Sequence, residues 1–198
     1  MQGGTMRYSS NQKTETRTRI LTEASRLIRR DGIEATGVSA LMAAAGLTNG
    51  AFYAHFTSKE ALVSDAVVAA LEETQAAIGE RIRAAEPEKR LEALLSHYLD
   101  AKHVAHPEKG CAIAALGPEL ARRPDTTRAA INTALAKLIE TIAEAVPEGP
   151  KKLEFARAIF AIMVGTIQLA RNSPESQVAQ VLASGSDAAR KITHSSLH

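Results

Sequence analysis

The sequence predicts an all-α protein of about nine helices. Its 198 residues include 37 Ala and 18 Leu, a composition that favours helix formation. Nowhere do β-branched and aromatic residues alternate over five or more positions, so a sheet is not expected. Gly, Pro and capping residues divide the chain into segments of helical length. These three observations define the fold class.

The first three predicted helices lie close together at the N-terminal end. The first covers residues 14–30 and ends before Gly32, because Gly readily adopts the left-handed conformation that follows many helices. Two short helices follow, over residues 38–45 and 49–55, and a break at Gly46 separates them.

Six further helices complete the prediction. The sequence Thr57-Ser58-Lys59-Glu60 fits a capping box that opens a long helix reaching Ala85. Pro, Gly and Ser residues delimit the others, which are expected over residues 87–106, 111–122, 124–146, 151–171 and from 173 to near the C-terminus.

The segment 38–62 carries the strongest functional signal. Its two short helices, joined by a tight turn and preceded by a helix with one apolar face, have the arrangement of a helix-turn-helix unit. The second short helix of such a unit enters the major groove of DNA. Four apolar residues should form the small core that fixes its angle: Leu41, Ala45, Leu47 and Phe52.

The polar residues of this second helix are suited to DNA. The first ones lie at a helix N-terminus, where unpaired amides and the helix dipole attract phosphate, and later ones can reach the backbone or the bases. The expected DNA contacts are Thr36, Ser39, Thr48, Asn49, Gly50, Tyr53, His55 and Lys59. By contrast, Phe52 and Phe56 are expected in the core, and Arg29 and Arg30 in solvent.

The distribution of charge agrees with this interpretation. Residues 1–60 carry 8 basic and 5 acidic side chains, whereas the remainder carries 16 basic and 17 acidic ones. The positive excess therefore lies at the end of the chain that would meet a polyanion.

The sequence AAAGLTNGAFYAHFTSKEAL, residues 43–62, resembles the DNA-binding signature of TetR-family transcriptional regulators. The first 13 residues precede the first predicted helix and are expected to be disordered. The resemblance implies a helix-turn-helix DNA-binding domain over 14–60 and a helical ligand-binding and dimerisation domain over 61–198. Met42 departs from the pattern, since many members have Ala at this helix crossing.

The predicted helix over residues 151–171 has an unusually wide apolar face. It covers roughly 220° of the circumference, against a stripe of about 100° on an ordinary surface helix. Either a second subunit covers it, or it is the central helix of one subunit. The resemblance implies a homodimer with a four-helix bundle, which would supply two recognition helices to a two-fold DNA site. The expected interface residues are Phe155, Ile159, Ile162, Thr166, Leu169, Val178, Val181 and Leu182.

These features predict a ligand-responsive regulator, a homodimeric repressor that a small-molecule inducer releases from a palindromic operator in double-stranded DNA. Tyr98, Phe155, Phe160 and Met163 are candidate pocket residues, although each could equally belong to the core or the interface. Two alternatives remain: a helical enzyme, or a protein-interaction adaptor, using the C-terminal cavity without binding DNA.

No motif indicates catalysis or a cofactor. The chain has neither a nucleophile elbow nor a glycine-rich phosphate loop, so neither enzyme activity nor a cofactor is expected. His97, His103, His106 and Cys111 resemble a metal-ligand cluster, but no further ligand follows at regular spacing. A metal site is therefore not expected, while sensing of metal or redox state by this group stays open.

Localisation follows from the apolar segments. The longest apolar stretch, residues 158–170, is too short to span a bilayer, and the N-terminal residues lack the apolar core of a signal peptide. The expectation is a cytoplasmic protein without membrane contact.

Overall fold

The computed structural model describes residues 10–194, and this part of the chain contains nine α-helices, three short 3-10 helices and no strand. The α-helices are α1 (Ser10–Asp31), α2 (Val38–Ala44), α3 (Lys59–Ala84), α4 (Arg90–Tyr98), α5 (Ala101–Ala105), α6 (Ala112–Leu120), α7 (Asp125–Ala143), α8 (Lys152–Arg171) and α9 (Glu175–His194). The 3-10 helices are Asn49–Ala54, Pro87–Lys89 and Pro107–Lys109. The all-α prediction is confirmed.

Helix α1 begins at Ser10, four residues before the predicted start, so residues 10–13 are helical. The rest of the segment expected to be disordered, residues 1–9, lies outside the described residues, as do residues 195–198. The predicted end is correct: Gly32 has φ +90°, and its amide donates to the carbonyl of Ile28 at 2.9 Å.

The second short helix is a 3-10 helix rather than the predicted α-helix. Its six residues include Gly50, which stabilises helix poorly, and such short segments often adopt the tighter 3-10 geometry. The predicted capping box also differs. Ser58, not Thr57, caps α3 by accepting a hydrogen bond from the amide of Ala61 at 3.1 Å, and Glu60 points to the C-terminal domain instead.

The helix predicted over residues 87–106 is interrupted. After a 3-10 turn, α4 ends at Tyr98, and Leu99 and Asp100 leave the helical conformation. The carboxylate of Asp100 accepts a hydrogen bond from the amide of Lys102 at 2.6 Å and so caps a new helix, α5. This break turns the chain and brings α5 against α8.

Helix α3 connects the two ends of the molecule. It has 26 residues, which makes it roughly 39 Å long. It packs against α1 at the N-terminal end and against α4 and α7 further along, and α8 packs between α7 and α9. A rotation or shift of α3 would therefore change helix contacts in both halves of the chain.

The helix-turn-helix core forms as predicted. Leu41, Ala45 and Phe52 are buried, and Leu47 packs against them, while Met42 is also completely buried at the helix crossing. Gly46 adopts φ +69° in the turn, where the amide of Leu47 donates to the carbonyl of Met42 at 2.9 Å.

Phe52 and Tyr53 are adjacent but have opposite environments, since their exposed fractions are 1% and 80%. We expect Phe52→Ala to lower the free energy of unfolding by about 3–5 kcal/mol, because it leaves a cavity in this core. Tyr53→Ala should change it by less than about 1 kcal/mol. Urea denaturation at a fixed protein concentration measures both. Equal losses in the two variants would contradict this assignment of the core.

Candidate DNA interface and ligand cavity

The exposed edge of the helix-turn-helix unit is polar. Thr48, Asn49 and Gly50 are exposed at the N-terminus of the 3-10 helix, and Tyr53 projects into solvent one turn later. The amide nitrogen of Asn49 donates to the hydroxyl of Ser39 at 2.8 Å, which joins the two short helices at their exposed side. Five of the eight predicted contacts therefore lie together on one accessible surface.

Two further predicted contacts, His55 and Lys59, are half-buried beside this surface. Burial lowers the pKa of His55, and the nearby cations Lys13 and Arg17 lower it further. His55 is therefore better suited to a hydrogen bond with DNA than to an ion pair. Its Nδ1 is buried and has no hydrogen-bond partner among the described residues.

Thr36 is not available for DNA contact, and its prediction is wrong. Its side chain is buried, and its hydroxyl donates to the carbonyl of Gly32 at 2.7 Å. The residue closes the loop between α1 and α2 in place of contacting a ligand.

Arg29 and Arg30 differ, although both were expected in solvent. Arg30 is exposed and pairs with Asp31. Arg29 is only 5% exposed, which corrects the prediction: its guanidinium donates to the carbonyls of Ser25 and Gly110 and contacts Glu73 at 3.4 Å. Burial lowers the pKa of Arg29, and Glu73 opposes this effect.

A set of polar contacts links the DNA-binding unit to the C-terminal helices. The carboxylate of Glu119 on α6 accepts hydrogen bonds from the amides of Ile33 at 2.8 Å and Glu34 at 3.3 Å. Arg123 pairs with both Glu34 and Glu60, and its hydrogen bond lowers the pKa of Glu60. With Arg29, these residues form what we call the interdomain seam, which the sequence did not reveal because its partners lie far apart in the chain.

The C-terminal domain contains a cavity of about 800 Å³ between α3 and α4, which we call the α3–α4 cavity. Helix α5 and the turn before α6 complete its wall. The lining residues include Ala77, Ile78 and Arg81 of α3, Ala93, His97 and Tyr98 of α4, and Asp100, Lys102, His103, His106, Lys109, Gly110 and Cys111. Tyr98 is the only predicted pocket residue that contacts this cavity.

The other predicted pocket residues lie elsewhere. Phe160 lines a separate, more apolar groove of about 660 Å³ between α7 and α8. Met163 is completely buried in the core, and Phe155 lines neither space. Met163 is therefore corrected to a packing residue, because it lines neither the α3–α4 cavity nor this groove and is completely buried among its neighbours.

The predicted histidine and cysteine group is brought together at the α3–α4 cavity, but as a hydrogen-bonded wall. Nδ1 of His103 lies 2.8 Å from the carbonyl of Tyr98, to which it donates, and Nε2 accepts the amide hydrogen of Cys111 at 3.0 Å. Both ring nitrogens are thus engaged. No group of three His, Cys, Asp or Glu side chains suited to a metal ion occurs within residues that the structure describes.

The predicted dimer residues divide into two sets. Phe155, Ile162, Val178 and Val181 are half-buried, and Leu169 is 66% exposed. Ile159, Thr166 and Leu182 are buried within their own protomer, which corrects their prediction as partner contacts. Thr166 lies directly against Gly185 of α9, where a Cβ would overlap its side chain. These residues join α8 to α9 in one subunit.

Helix α8 is long and apolar enough to cross a membrane by length and composition, with a mean hydropathy of 1.5 over its most apolar window. Such a helix is weak evidence of a membrane span, because core helices pass the same test, and the apolar stretch over residues 158–170 covers only part of it. Its buried side chains pack against α7 and α9, as those of a core helix do.

The comparisons with known proteins agree with this geometry. Residues 20–66 match the model of bacterial regulatory proteins of the TetR family, and residues 87–184 match that of the tetracycline repressor-like C-terminal domain. The chain belongs to the TetR family of transcriptional regulators. This confirms the resemblance carried by residues 43–62. No curated protein sequence matches the chain significantly.

Several solved structures share the fold. The reduced form of Escherichia coli NemR has a TM-score of 0.74 at 19% identity, covering 89% of this chain and 96% of that one. A TetR-family regulator from Agrobacterium tumefaciens has a TM-score of 0.74 at 21% identity, with 91% and 99% covered. Bacillus subtilis FadR, in complex with stearoyl-CoA, has a TM-score of 0.64 at 17% identity, with 89% and 97% covered.

The buried His103 predicts a pH dependence of stability. Burial lowers its pKa from 6.5 to about 4, so between these values the unfolded chain binds a proton that the folded chain does not. The free energy of unfolding should therefore fall as the pH is lowered from 6.5 towards 4. We expect His103→Gln to reduce this slope, as measured by urea denaturation across the pH range.

His106→Gln is the control for this experiment, because His106 is half-exposed at the rim of the same cavity. A slope that is unchanged in His103→Gln, or reduced equally in both variants, would contradict the role given to His103.

Proposed function

We propose that this TetR-family protein is a homodimeric repressor that binds a palindromic operator and is released by a small molecule bound in the α3–α4 cavity. The observation that carries the proposal is the position of the large exposed apolar side chains. Among the described residues these are Tyr53 on the helix-turn-helix unit and Leu153 and Leu169 on α8. Tyr53 is placed to contact DNA, and Leu153 and Leu169 are placed to pack against a partner subunit.

The DNA contact uses the accessible polar edge. Thr48, Asn49 and Gly50 present amides and side chains at a helix start, where phosphate or base edges can approach, and Tyr53 and Lys59 extend the surface. Two such edges in one dimer would reach successive major grooves about 34–36 Å apart. The natural site is then a two-fold operator.

The dimer contact uses the outer face of α8. Leu169 and Leu153 are 66% and 45% exposed, and the small residues Ala161 and Gly165 lie exposed between them. Small residues allow a second helix to approach closely, while the flanking apolar side chains supply buried area. Phe155, Ile162, Leu169, Val178 and Val181 remain the proposed interface.

Release follows from the two roles of α3. Its N-terminus carries Lys59 beside the DNA surface, and Ala77, Ile78 and Arg81 in its later turns line the cavity. A ligand that fits the cavity only when α3 has shifted would favour a state with the recognition helices at the wrong separation. The neighbouring FadR structure holds stearoyl-CoA, which supports a ligand role for this type of domain.

Repression and a cytoplasmic location belong to the same proposal. The C-terminal half matches a repressor-like domain, and a dimer seated on an operator would obstruct a promoter that overlaps it. Neither DNA nor a small effector requires membrane contact. A reporter gene placed under control of the DNA upstream of the protein's own gene tests this. Its expression should rise when the gene for the protein is deleted, whereas a fall would indicate an activator.

Replacing the exposed Tyr53 or the half-buried Lys59 should weaken DNA binding. We expect Tyr53→Ala to reduce the affinity for the DNA upstream of the protein's own gene roughly tenfold, because the variant loses a hydrogen bond from the tyrosine hydroxyl to a charged group of the DNA. Lys59→Ala should lower the slope of log affinity against log salt by about 1. A gel shift over a salt series measures both effects.

Lys137→Ala provides the control, because Lys137 is exposed on α7, away from the helix-turn-helix unit. It removes the same charge and should leave both affinity and slope unchanged. The wild-type protein should prefer the upstream DNA to random DNA. If it shows no such preference at any salt concentration, the enzyme or adaptor alternatives are favoured instead.

A charge on the outer face of α8 should separate the subunits. We expect Ile162→Glu to sediment as a monomer, because a half-buried apolar side chain at the proposed interface becomes an unpaired carboxylate. Thr133→Glu on the exposed face of α7 introduces the same charge and should remain dimeric. An intact Ile162→Glu dimer would place the interface elsewhere.

A further inference from the structure

We infer that the α3–α4 cavity binds a small organic anion, whose acidic group faces the basic end of the cavity near Gly110 and whose apolar body lies along α3. This inference rests on the proposed function, because it names the chemical class of the effector. Three separate features support it: two guanidinium groups behind the wall, cations without ion-pair partners around the cavity, and a hydroxyl in the wall that lacks an oxygen or nitrogen partner.

The first guanidinium behind the wall is that of Arg29. It lies almost completely buried and donates to the carbonyl of Gly110, a lining residue. Its one carboxylate partner is Glu73, at 3.4 Å, whose side chain is largely exposed to the cavity and solvent. A buried charge needs a close counter-charge to offset its desolvation, and this pair supplies only part of it.

The second guanidinium is that of Arg171 on α8. It donates to the carbonyls of His103 and Ala114, each at 2.9 Å, and to that of Val104. It forms no ion pair with a carboxylate of the described residues. Its Nη2 lies 3.5 Å from the position that a Cβ would occupy at Gly110, so both guanidiniums meet at this end of the cavity.

His103 lies beside these cations, since its carbonyl accepts a hydrogen bond from Arg171. Burial is the main cause of its low pKa, of about 4, and the charges of Arg171 and Arg29 lower it further. The imidazole therefore stays neutral at neutral pH and adds no positive charge of its own to the cavity.

The lining residues add to this potential. Arg81, Lys102 and Lys109 line the cavity, and none of them forms an ion pair within the described part of the chain. The lining carboxylates of Glu73 and Asp100 oppose them: Glu73 pairs with Arg29, while Asp100 keeps its charge as it accepts the amide hydrogen of Lys102. The three lining cations therefore exceed the two carboxylates by one, and a cleft with a net charge concentrates ions of the opposite sign.

Tyr98 contributes a hydrogen-bond donor. Its side chain is 2% exposed, and its hydroxyl has no oxygen or nitrogen partner among the described residues; the neighbouring group is the thiol of Cys111, which is a weak hydrogen-bond partner. Buried hydroxyls are nearly always paired with a stronger acceptor, so this one in a cavity wall indicates a missing partner. An acidic oxygen is such a partner, while Ala77, Ile78 and Ala93 offer apolar contacts to the rest of the ligand.

The test uses two fluorescent probes that differ by one acidic group. 8-Anilinonaphthalene-1-sulfonate is an organic anion, and N-phenyl-1-naphthylamine is the same ring system without the sulfonate. We expect Tyr98→Phe to weaken sulfonate binding to the full-length protein roughly tenfold, and Arg81→Gln to weaken it about threefold to fivefold. Binding of the uncharged probe should not change.

Arg83→Gln is the matched control, because Arg83 lies on the same helix but pairs with Glu144 at 3.6 Å and does not line the cavity. The inference is overturned by any of three results. The sulfonate probe does not bind, neither cavity variant lowers its affinity, or the variants lower the affinity of both probes equally. A gel shift without probe distinguishes failure of this inference from failure of the proposed function. If the protein binds its operator but does not prefer the anionic probe, only the effector class is refuted.

Discussion

The buried guanidinium of Arg29 is the contact on which the arrangement of the two domains depends. It belongs to α1 of the DNA-binding unit, yet its partners are the carbonyl of Gly110 and the carboxylate of Glu73, both in the wall of the α3–α4 cavity. Breaking these contacts would leave a buried cation without a counter-charge and with only the carbonyl of Ser25, on its own helix, as a hydrogen-bond partner, which is strongly unfavourable. The position of α1 and the shape of the cavity are therefore set together.

Sequence alone predicts the parts of this structure that depend on neighbours in the chain. The core positions of Leu41 and Phe52, the exposed position of Tyr53 and the helix end at Gly32 all follow from local spacing and backbone preference. Arg29 could not be separated from Arg30 in this way. The two are adjacent cations at a helix end, and the difference arises from Gly110, which is 81 positions away.

The same limit explains the other corrections. The wide apolar face of α8 indicates that two surfaces cover it, but not which residues meet which surface. Thr166 is buried because Gly185 has no side chain, so α9 approaches closely at that point. The break between α4 and α5 combines a local and a distant contact: Asp100 caps α5 at the amide of Lys102, only two positions away, but this cap competes with an otherwise continuous helical pattern, and the packing of α5 against α8 favours the break. Tertiary contact decides such cases.

The polar character of the interdomain seam suits a regulator. An apolar seam resists separation in proportion to its buried area, whereas the hydrogen bonds that the Glu119 carboxylate accepts from the amides of Ile33 and Glu34 can exchange with water at a net cost of about 1.5–3 kcal/mol each. Coupling free energies between sites are typically about 1–3 kcal/mol. Losing one seam contact would therefore change the free energy by as much as a typical coupling between sites, without unfolding either domain.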